Sequence, residues 1–528
     1  MRAESIPFRE TNYFSSLLCD YLDEHSSLTP FYNTFPNIDN FKDQINTKQF
    51  SNSNREVLVS VLEQQYKAIE QSESTAHHIA SLKLDTTYTI TTGHQLNLFT
   101  GPLYFLYKIV STLNLCEELR VKYPEYNFVP IYWMATEDHD FEEINHFNFK
   151  GNTIEWDRSF GGAVGELSTE GLEVVLEVLS DKLGPGKNAK YLKRLFENAY
   201  IKHSNLADAT RYLVNELFGA YGLVVVDANH KALKQLFVPY VQQELLDQTA
   251  HKEVSKTIEK FPSAYNIQVN PREINLFYIT EGVRERIVYE DEVFKVNNTS
   301  IRWKTEELVK HLNEMPECFS PNVLLRPLYQ EVVLPNICYI GGGGELAYWL
   351  ELKSMFEAFQ VPFPMLLLRN SALVINAQQQ KKLDKLGLDI SELFLKQTNL
   401  IAKKTKELSS IQIDLSEQKR HLMRQFEVLY AIAKQTDKSF IGAVAAQEQK
   451  QINGLKNLEK RLLKAEKKQL KEKLEAFVKP QNELFPKQSL QERYMNFSEL
   501  YLEFGEELIP LLKNHLNPLH SGFTILAP

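Results

Sequence analysis

The stretch Thr86-Thr-Tyr-Thr-Ile-Thr-Thr92-Gly93 decides the fold. A β-branched run of strand length, closed by a glycine, reads as a strand and a turn. After Thr100-Gly101-Pro102, apolar residues recur at Leu103, Leu106, Tyr107, Val110 and Leu113, which is helical spacing. Thr100 as N-cap and Pro102 near the first helical position mark the expected start of that helix. A second apolar run over 128–134 follows as a buried strand. Strand, helix and strand within about 50 residues form a βαβ unit, whose crossover implies parallel pairing.

Working outward, strands are expected at 222–227, 275–280, 286–289, 334–340 and 363–368, with helical patterns over 170–217 and 233–260. The natural assembly is α/β: an open, largely parallel sheet covered by helices. Residues 1–85 read as a helical segment packing on the core. The core itself runs over 86–375, with insertions at about 150–330.

The last third changes texture. Leu408, Leu415, Leu422 and Leu429 fall seven apart, with Ile411 and Ile432 three further on and Gln418 and Gln425 interrupting the seam. A polar break at 436–439 precedes a second run with Val444, Leu455, Leu458, Leu462 and Ala465. This predicts an antiparallel coiled-coil hairpin over 376–485, its tip near 436–440 and its arms ~57 Å long. The second arm carries nine Lys or Arg against four Glu between 450 and 475, either a solvated face or one for phosphates or an acidic partner. A helical segment over 486–528 is expected to return to the core.

The 528 residues are 43% hydrophobic and 24% charged, a globular composition, and the net charge of -9 argues against a dedicated nucleic-acid binder. Four cysteines without metal-ligand spacing suit a reducing cytoplasm. No apolar stretch of about 18 residues predicts a membrane span.

Three constellations fall at strand–helix junctions. The first is Gly93-His94-Gln95 with Thr100, Gly101, Tyr104 and Lys108. A loop from a strand to a helix offers free N–H groups to phosphate or carboxylate, or is simply a tight turn. The second follows Trp133: Glu137-Asp138-His139-Asp140-Phe-Glu-Glu143-Ile-Asn145-His146. If helical, it places His139, Glu143 and His146 on one face, able to bind a divalent metal, orient an amine or act as acid and base. Neither HExxH nor a two-metal pattern is present, so the metal ligands stay undefined. The third is Arg326-Pro-Leu-Tyr-Gln330-Glu331, then a strand, then Gly341-Gly342-Gly343-Gly344-Glu345. Glycines there bring backbone to a ligand or thread a crowded turn, Glu345 caps a helix or meets an ammonium or ribose hydroxyl, and Arg326 forks a carboxylate. Parallel strands would bring all three to one crevice.

The 93–104 stretch, Trp133-Met-Ala-Thr-Glu-Asp-His-Asp-Phe-Glu-Glu-Ile-Asn-His146, Ile340-Gly-Gly-Gly-Gly-Glu-Leu-Ala-Tyr-Trp349 and Arg369-Asn-Ser-Ala372 resemble the BshC family, cysteine ligases of bacillithiol biosynthesis. The likeness covers nearly the whole chain. It departs at His94, where many members have Gln, and at Gly343, where many have Pro. The resemblance implies a Rossmann-like core with inserted segments, a coiled coil that helps form a homodimer, and nucleotide binding. It also implies a reaction joining the cysteine carboxyl group to the amine of glucosaminyl-malate. Carboxylate oxygen is a poor leaving group, so ATP with Mg is the expected activator, through an adenylate or acyl phosphate, with no tightly bound metal required. Lys108 and the two glycine loops are the candidates for polyphosphate, and Glu137, Asp138 and His139 for the cysteine ammonium, Mg²⁺ or deprotonation of the amine. Arg326 is the candidate for the malate carboxylates. The competing readings are a non-catalytic nucleotide-binding scaffold and a metal-dependent hydrolase.

Overall fold

The computed structural model describes residues 1–158 and 161–528. Five strands form a parallel sheet: β1 (Thr87–His94), β2 (Asn127–Met134), β3 (Val224–Asp227), β4 (Asn336–Gly341) and β5 (Met365–Leu368). Their order is β3-β2-β1-β4-β5, and every neighbouring pair is parallel. This is the doubly wound Rossmann-like arrangement, in which chain connections turn opposite ways on either side of β1 and β4. The register sets Gly93 beside Trp133, His94 beside Met134 and Ile340 beside Thr92, so their carboxyl ends form one edge.

Helix α1 (Tyr104–Lys122) crosses the sheet after β1. Its Leu115, Cys116 and Leu119 pack with Ile90, Phe128, Ile337, Ile340 and Leu367 in one buried cluster. Thr100 is not its N-cap. Leu103 holds that position without a side-chain bond, and the Thr100 hydroxyl is buried without a partner among the described residues. The reason lies in the preceding loop, where Phe99 and Thr100 have φ of 50° and 68°. Side-chain-bearing residues rarely hold such angles unless surrounding bonds fix them. Here the Tyr200 hydroxyl accepts from Phe99 N, and the buried Asn496 amide donates to Phe99 O (2.8 Å) and Gly101 O (2.7 Å).

Two expected strands do not join the parallel sheet. Leu276–Thr280 and Val283–Glu290 lie in a second, antiparallel sheet with Val293–Val296, Arg302–Trp303 and Phe319–Pro321. The physical cause is the connection: Thr280 pairs with Val283 across Glu281 and Gly282, the latter at φ +70°. A two-residue turn joins antiparallel strands, whereas parallel neighbours need a crossover. The insertion is therefore a module of its own and not an extension of the core sheet.

The chain divides into two compact units, the larger over 3–373 with 491–526, the smaller over 374–490 with the terminal residues 1–2 and 527–528. In the larger, Lys48 and Glu331 form a fully buried ion pair at 2.9 Å. In the smaller, helices α4 (Ser416–Ala433) and α5 (Lys438–Gln469) form the coiled-coil hairpin, turning where Asp437 caps α5 by accepting from Ser439 N. The leucine heptad is only in part its seam. Leu408 and Leu429 are exposed, while Phe426, Ala433 and Val444 are buried with Leu422 and Tyr430 against them. The first arm breaks between Leu408 and Ser416 because Ser409 and Asp414 bond local backbone N–H groups, at Ile411 and Ser416, which competes with helix continuation. Among the described residues no helix is long and apolar enough to cross a membrane.

Replacing Asn496 by Ala leaves the Phe99 and Gly101 carbonyls without donors. The expected cost is about 2–3 kcal/mol, read as a lower denaturant midpoint for unfolding.

Candidate active site

The carboxyl ends of β1, β2 and β4 open on a crevice of about 150 Å³, at the point where the strand order reverses. Gly93, His94 and Gln95 line it from the first predicted constellation. Ala135 and Asp138 line it from the second, and Arg326, Gln330 and Glu345 from the third. Trp133, Pro327, Tyr339, Tyr348 and Trp349 complete its walls. The convergence follows from parallel pairing, which places each strand-to-helix junction on the same edge.

Asp138 is the crevice's ionised carboxylate. Burial alone would raise its pKa; hydrogen bonding from His139, the Arg326 charge and the Gln95 amide outweigh burial and hold it well below the usual range. Gln95 Nε2 donates to Asp138 Oδ2 (3.1 Å) and Glu143 Oε2 (2.8 Å), fixing the loop after β2 to the loop after β1. Arg326, near the start of helix α2 (Leu325–Val333), forms no ion pair with any described residue. Burial lowers its pKa, but Tyr348, Asp138 and Tyr339 more than offset this, so the guanidinium stays charged. Cation and anion thus face one space.

Glu345 caps helix α3 (Gly343–Trp349) by accepting from Gly342 N at 3.1 Å, and it also accepts from the Tyr339 hydroxyl. Lys108, fully buried, donates to Glu345 Oε1 (2.5 Å) and Gly93 O (2.6 Å). It is therefore not a free cation for polyphosphate: the low-dielectric interior holds it on its partner carboxylate. His94 Nε2 is buried without a partner among the described residues. Burial, with the Lys108 and Arg369 charges, pushes the imidazole well below its ordinary value, so it is neutral.

Several expected site residues lie elsewhere. Residues 137–146 do not form one helix: only Phe141–Ile144 is helical, and Asp140 caps it by accepting from Glu143 N. The face joining His139, Glu143 and His146 is consequently absent. Glu137 turns from the crevice into an ion pair with the buried Lys234. His146 begins a short strand, bonded to Asn145, whose amide reaches Glu155. His139 is on the surface, its Nδ1 accepting from Arg284 Nη1 at 2.7 Å. Arginine can only donate, so that lone pair is occupied and His139 is no free base. Thr100 and Gly101 are held in the Asn496 loop, Tyr104 lies under the Arg369 guanidinium, and Glu331 pairs with Lys48. Of the glycines, Gly341 and Gly343 serve packing, since a Cβ would meet Tyr339 and Leu346 or Leu18 within 2.9 Å. Among the described residues no group of three or more His, Cys, Asp or Glu could hold a metal ion.

Sequence reading passed over Tyr339, Tyr348 and Arg284. Tyr339 sits on a strand buried on both faces, where side-chain alternation carries no signal. Arg284 comes from the antiparallel module and nothing in the local sequence points to the core sheet.

Fold and crevice together define a Rossmann-like enzyme whose core is followed by a coiled-coil domain. Residues 1–370 match the family described as "Bacillithiol biosynthesis BshC, N-terminal Rossmann-like domain", and residues 372–528 match its "C-terminal coiled-coil domain". The chain belongs to the BshC family, and with it to the ligases. Relatives that bear the name "Putative cysteine ligase BshC" include one from Flavobacterium psychrophilum, 58% identical over 100% of this chain and 99% of its own. Others come from Cytophaga hutchinsonii, at 36% over 98% and 97%, and Bacillus cereus, at 28% over 93% and 94%.

A carboxyl whose folded pKa is depressed stabilises the protein above its unfolded value, and that contribution is lost as pH falls through the folded one. The stability advantage of the wild type over Asp138→Asn is expected to be constant above about pH 5 and to shrink below the ordinary value of 3.8, in denaturant titrations across pH.

Proposed function

We propose that the chain joins the carboxyl group of cysteine to the amine of glucosaminyl-malate in an ATP-dependent reaction, giving bacillithiol. The observation that carries this reading is that ionised Asp138 and Arg326, which has no ion-pair partner among the described residues, line one crevice. Such a pair complements substrates that carry both an ammonium and a carboxylate. Asp138 would hold the ammonium and Arg326 a carboxylate, while Trp133, Tyr339, Tyr348 and Trp349 keep water from the reacting groups. Gln95 orients Asp138 and is itself held by Glu143.

ATP fits a donor set of Arg326 and His94 Nε2, the latter without a partner among the described residues; when bound, it supplies the activation that turns the carboxylate oxygen into a leaving group. Magnesium would enter on the nucleotide's phosphates, since no cluster among the described residues is arranged to hold it. The cysteine thiol remains a passenger in the reaction.

The smaller unit exposes Met423, Val428, Leu429, Ile432, Phe440 and Leu458 along its hairpin, an apolar surface suited to a second copy. A homodimer through this domain is part of the proposal, as is a cytoplasmic location, consistent with four free cysteines. Val428→Glu with Leu429→Glu is expected to turn a dimer into a monomer by light scattering; wild type that sediments as a monomer removes this element.

The deciding assay is mass spectrometry of product from cysteine, glucosaminyl-malate and Mg-ATP, with and without nucleotide. ATP-dependent product is expected from the wild type, and a loss of at least about 100-fold from Asp138→Asn, the scale of an orienting charge. Nucleotide binding without product would favour the scaffold reading, which the neutralisation of Lys108 by Glu345 already makes the rival.

A further inference from the structure

Arg369 follows β5 at the same sheet edge and is 3% exposed. Its guanidinium is nearly spent on the protein. Nη1 donates to Asn370 O (2.8 Å) and Ser371 Oγ (3.1 Å), Nη2 donates to Glu492 Oε1 (2.8 Å), and the plane lies 4.9 Å over the Tyr104 ring. Two of its five N–H groups are left, one on Nη2 and the one on Nε, and Nε is buried with no partner among the described residues. A buried donor without an acceptor destabilises the fold, and native structures rarely tolerate it without a purpose.

The space beside that donor is kept open by a glycine. A Cβ on Gly342 would stand 3.7 Å from Arg369 Nε, with no other neighbour within 4 Å. Gly342 has φ -78° and ψ 169°, angles that any residue adopts, so neither backbone nor packing demands glycine there. What glycine preserves is room, next to a charged donor. A second unsatisfied polar atom, His94 Nε2, borders the same Tyr104 ring from the crevice side.

We propose that Arg369 Nε and the space left by Gly342 form an anion subsite, adjoining the crevice, that takes one anionic oxygen of a substrate. The inference deepens the ligase reading and rests on it for the identity of the substrate. The oxygen belongs either to a phosphate of the nucleotide or to a carboxylate of the acceptor, and both have the same requirement: a fixed N–H aimed at an acceptor where water is displaced.

Calorimetric titration of the full chain with inorganic pyrophosphate and, separately, with malate tests this. Gly342→Ala places one methyl in the space at ordinary contact distance, and Gly454→Ala, on α5 with nothing within 4 Å, is the control. Gly342→Ala is expected to weaken pyrophosphate, malate or both at least tenfold at unchanged thermal midpoint, with Gly454→Ala binding as wild type. Weakened pyrophosphate assigns the oxygen to the nucleotide; weakened malate assigns it to a carboxylate. Should Gly342→Ala unfold early, the Arg369 Nε–H resonance of the wild type replaces it and is expected to move on saturation. Two undiminished affinities, an unmoved resonance, or no binding of either probe by the wild type overturns the proposal. Binding is read without product, so a failed ligase assay leaves this test standing.

Discussion

A buried ammonium joins the two halves of the crevice. Lys108 Nζ reaches from α1 to the end carbonyl of β1 and to Glu345, 237 residues further along the chain. Glu345 in turn holds the Tyr339 hydroxyl and the Gly342 amide. Two strands already joined by backbone pairing and by the Thr89, Thr91 and Thr92 hydroxyls are thereby also tied at the edge where ligand must sit. Removing one partner of such a pair leaves a buried charge, at a cost of about 3–5 kcal/mol. The lysine's contribution is therefore to the shape of the site, and Arg326 is left to contact negative charge.

The sheet was legible because its strands are continuous apolar or β-branched runs, buried on both faces, alternating with amphipathic helices. Thr87–His94 and Asn127–Met134 are of this kind. What escaped was anything decided by connection length or by distant partners. The 276–290 strands read like core strands until their two-residue link is weighed. The acidic cluster read as one helix, yet the Asp140 cap restarts the chain there, so Asp138 alone of its charged residues enters the crevice. Lys108 looked like a phosphate ligand because its carboxylate lies far downstream, beyond the reach of local spacing.

The antiparallel module touches the site through Arg284 and Phe277, whose ring lies 5.7 Å from that of His139. Arg284 lies on Phe277, 4.0 Å from the ring centroid, and donates to His139. His139 is adjacent to Asp138, whose Oδ1 accepts from the His139 amide at 2.8 Å. A displacement of the hairpin would therefore pass to the carboxylate through a single imidazole and one peptide.

The order β3-β2-β1-β4-β5 also has a history during synthesis. β1 finds β2 as soon as α1 has emerged, but its other edge waits for β4, about 240 residues later, or roughly 12–50 s at ribosomal speeds. For that interval the nascent chain carries an open strand edge, a template for wrong pairing. Arg369 then waits for Glu492, and Phe99 for Asn496. A ribosome that stalls between these points holds a sheet whose buried guanidinium has no counter-charge, which makes that stretch of translation the one most in need of a chaperone.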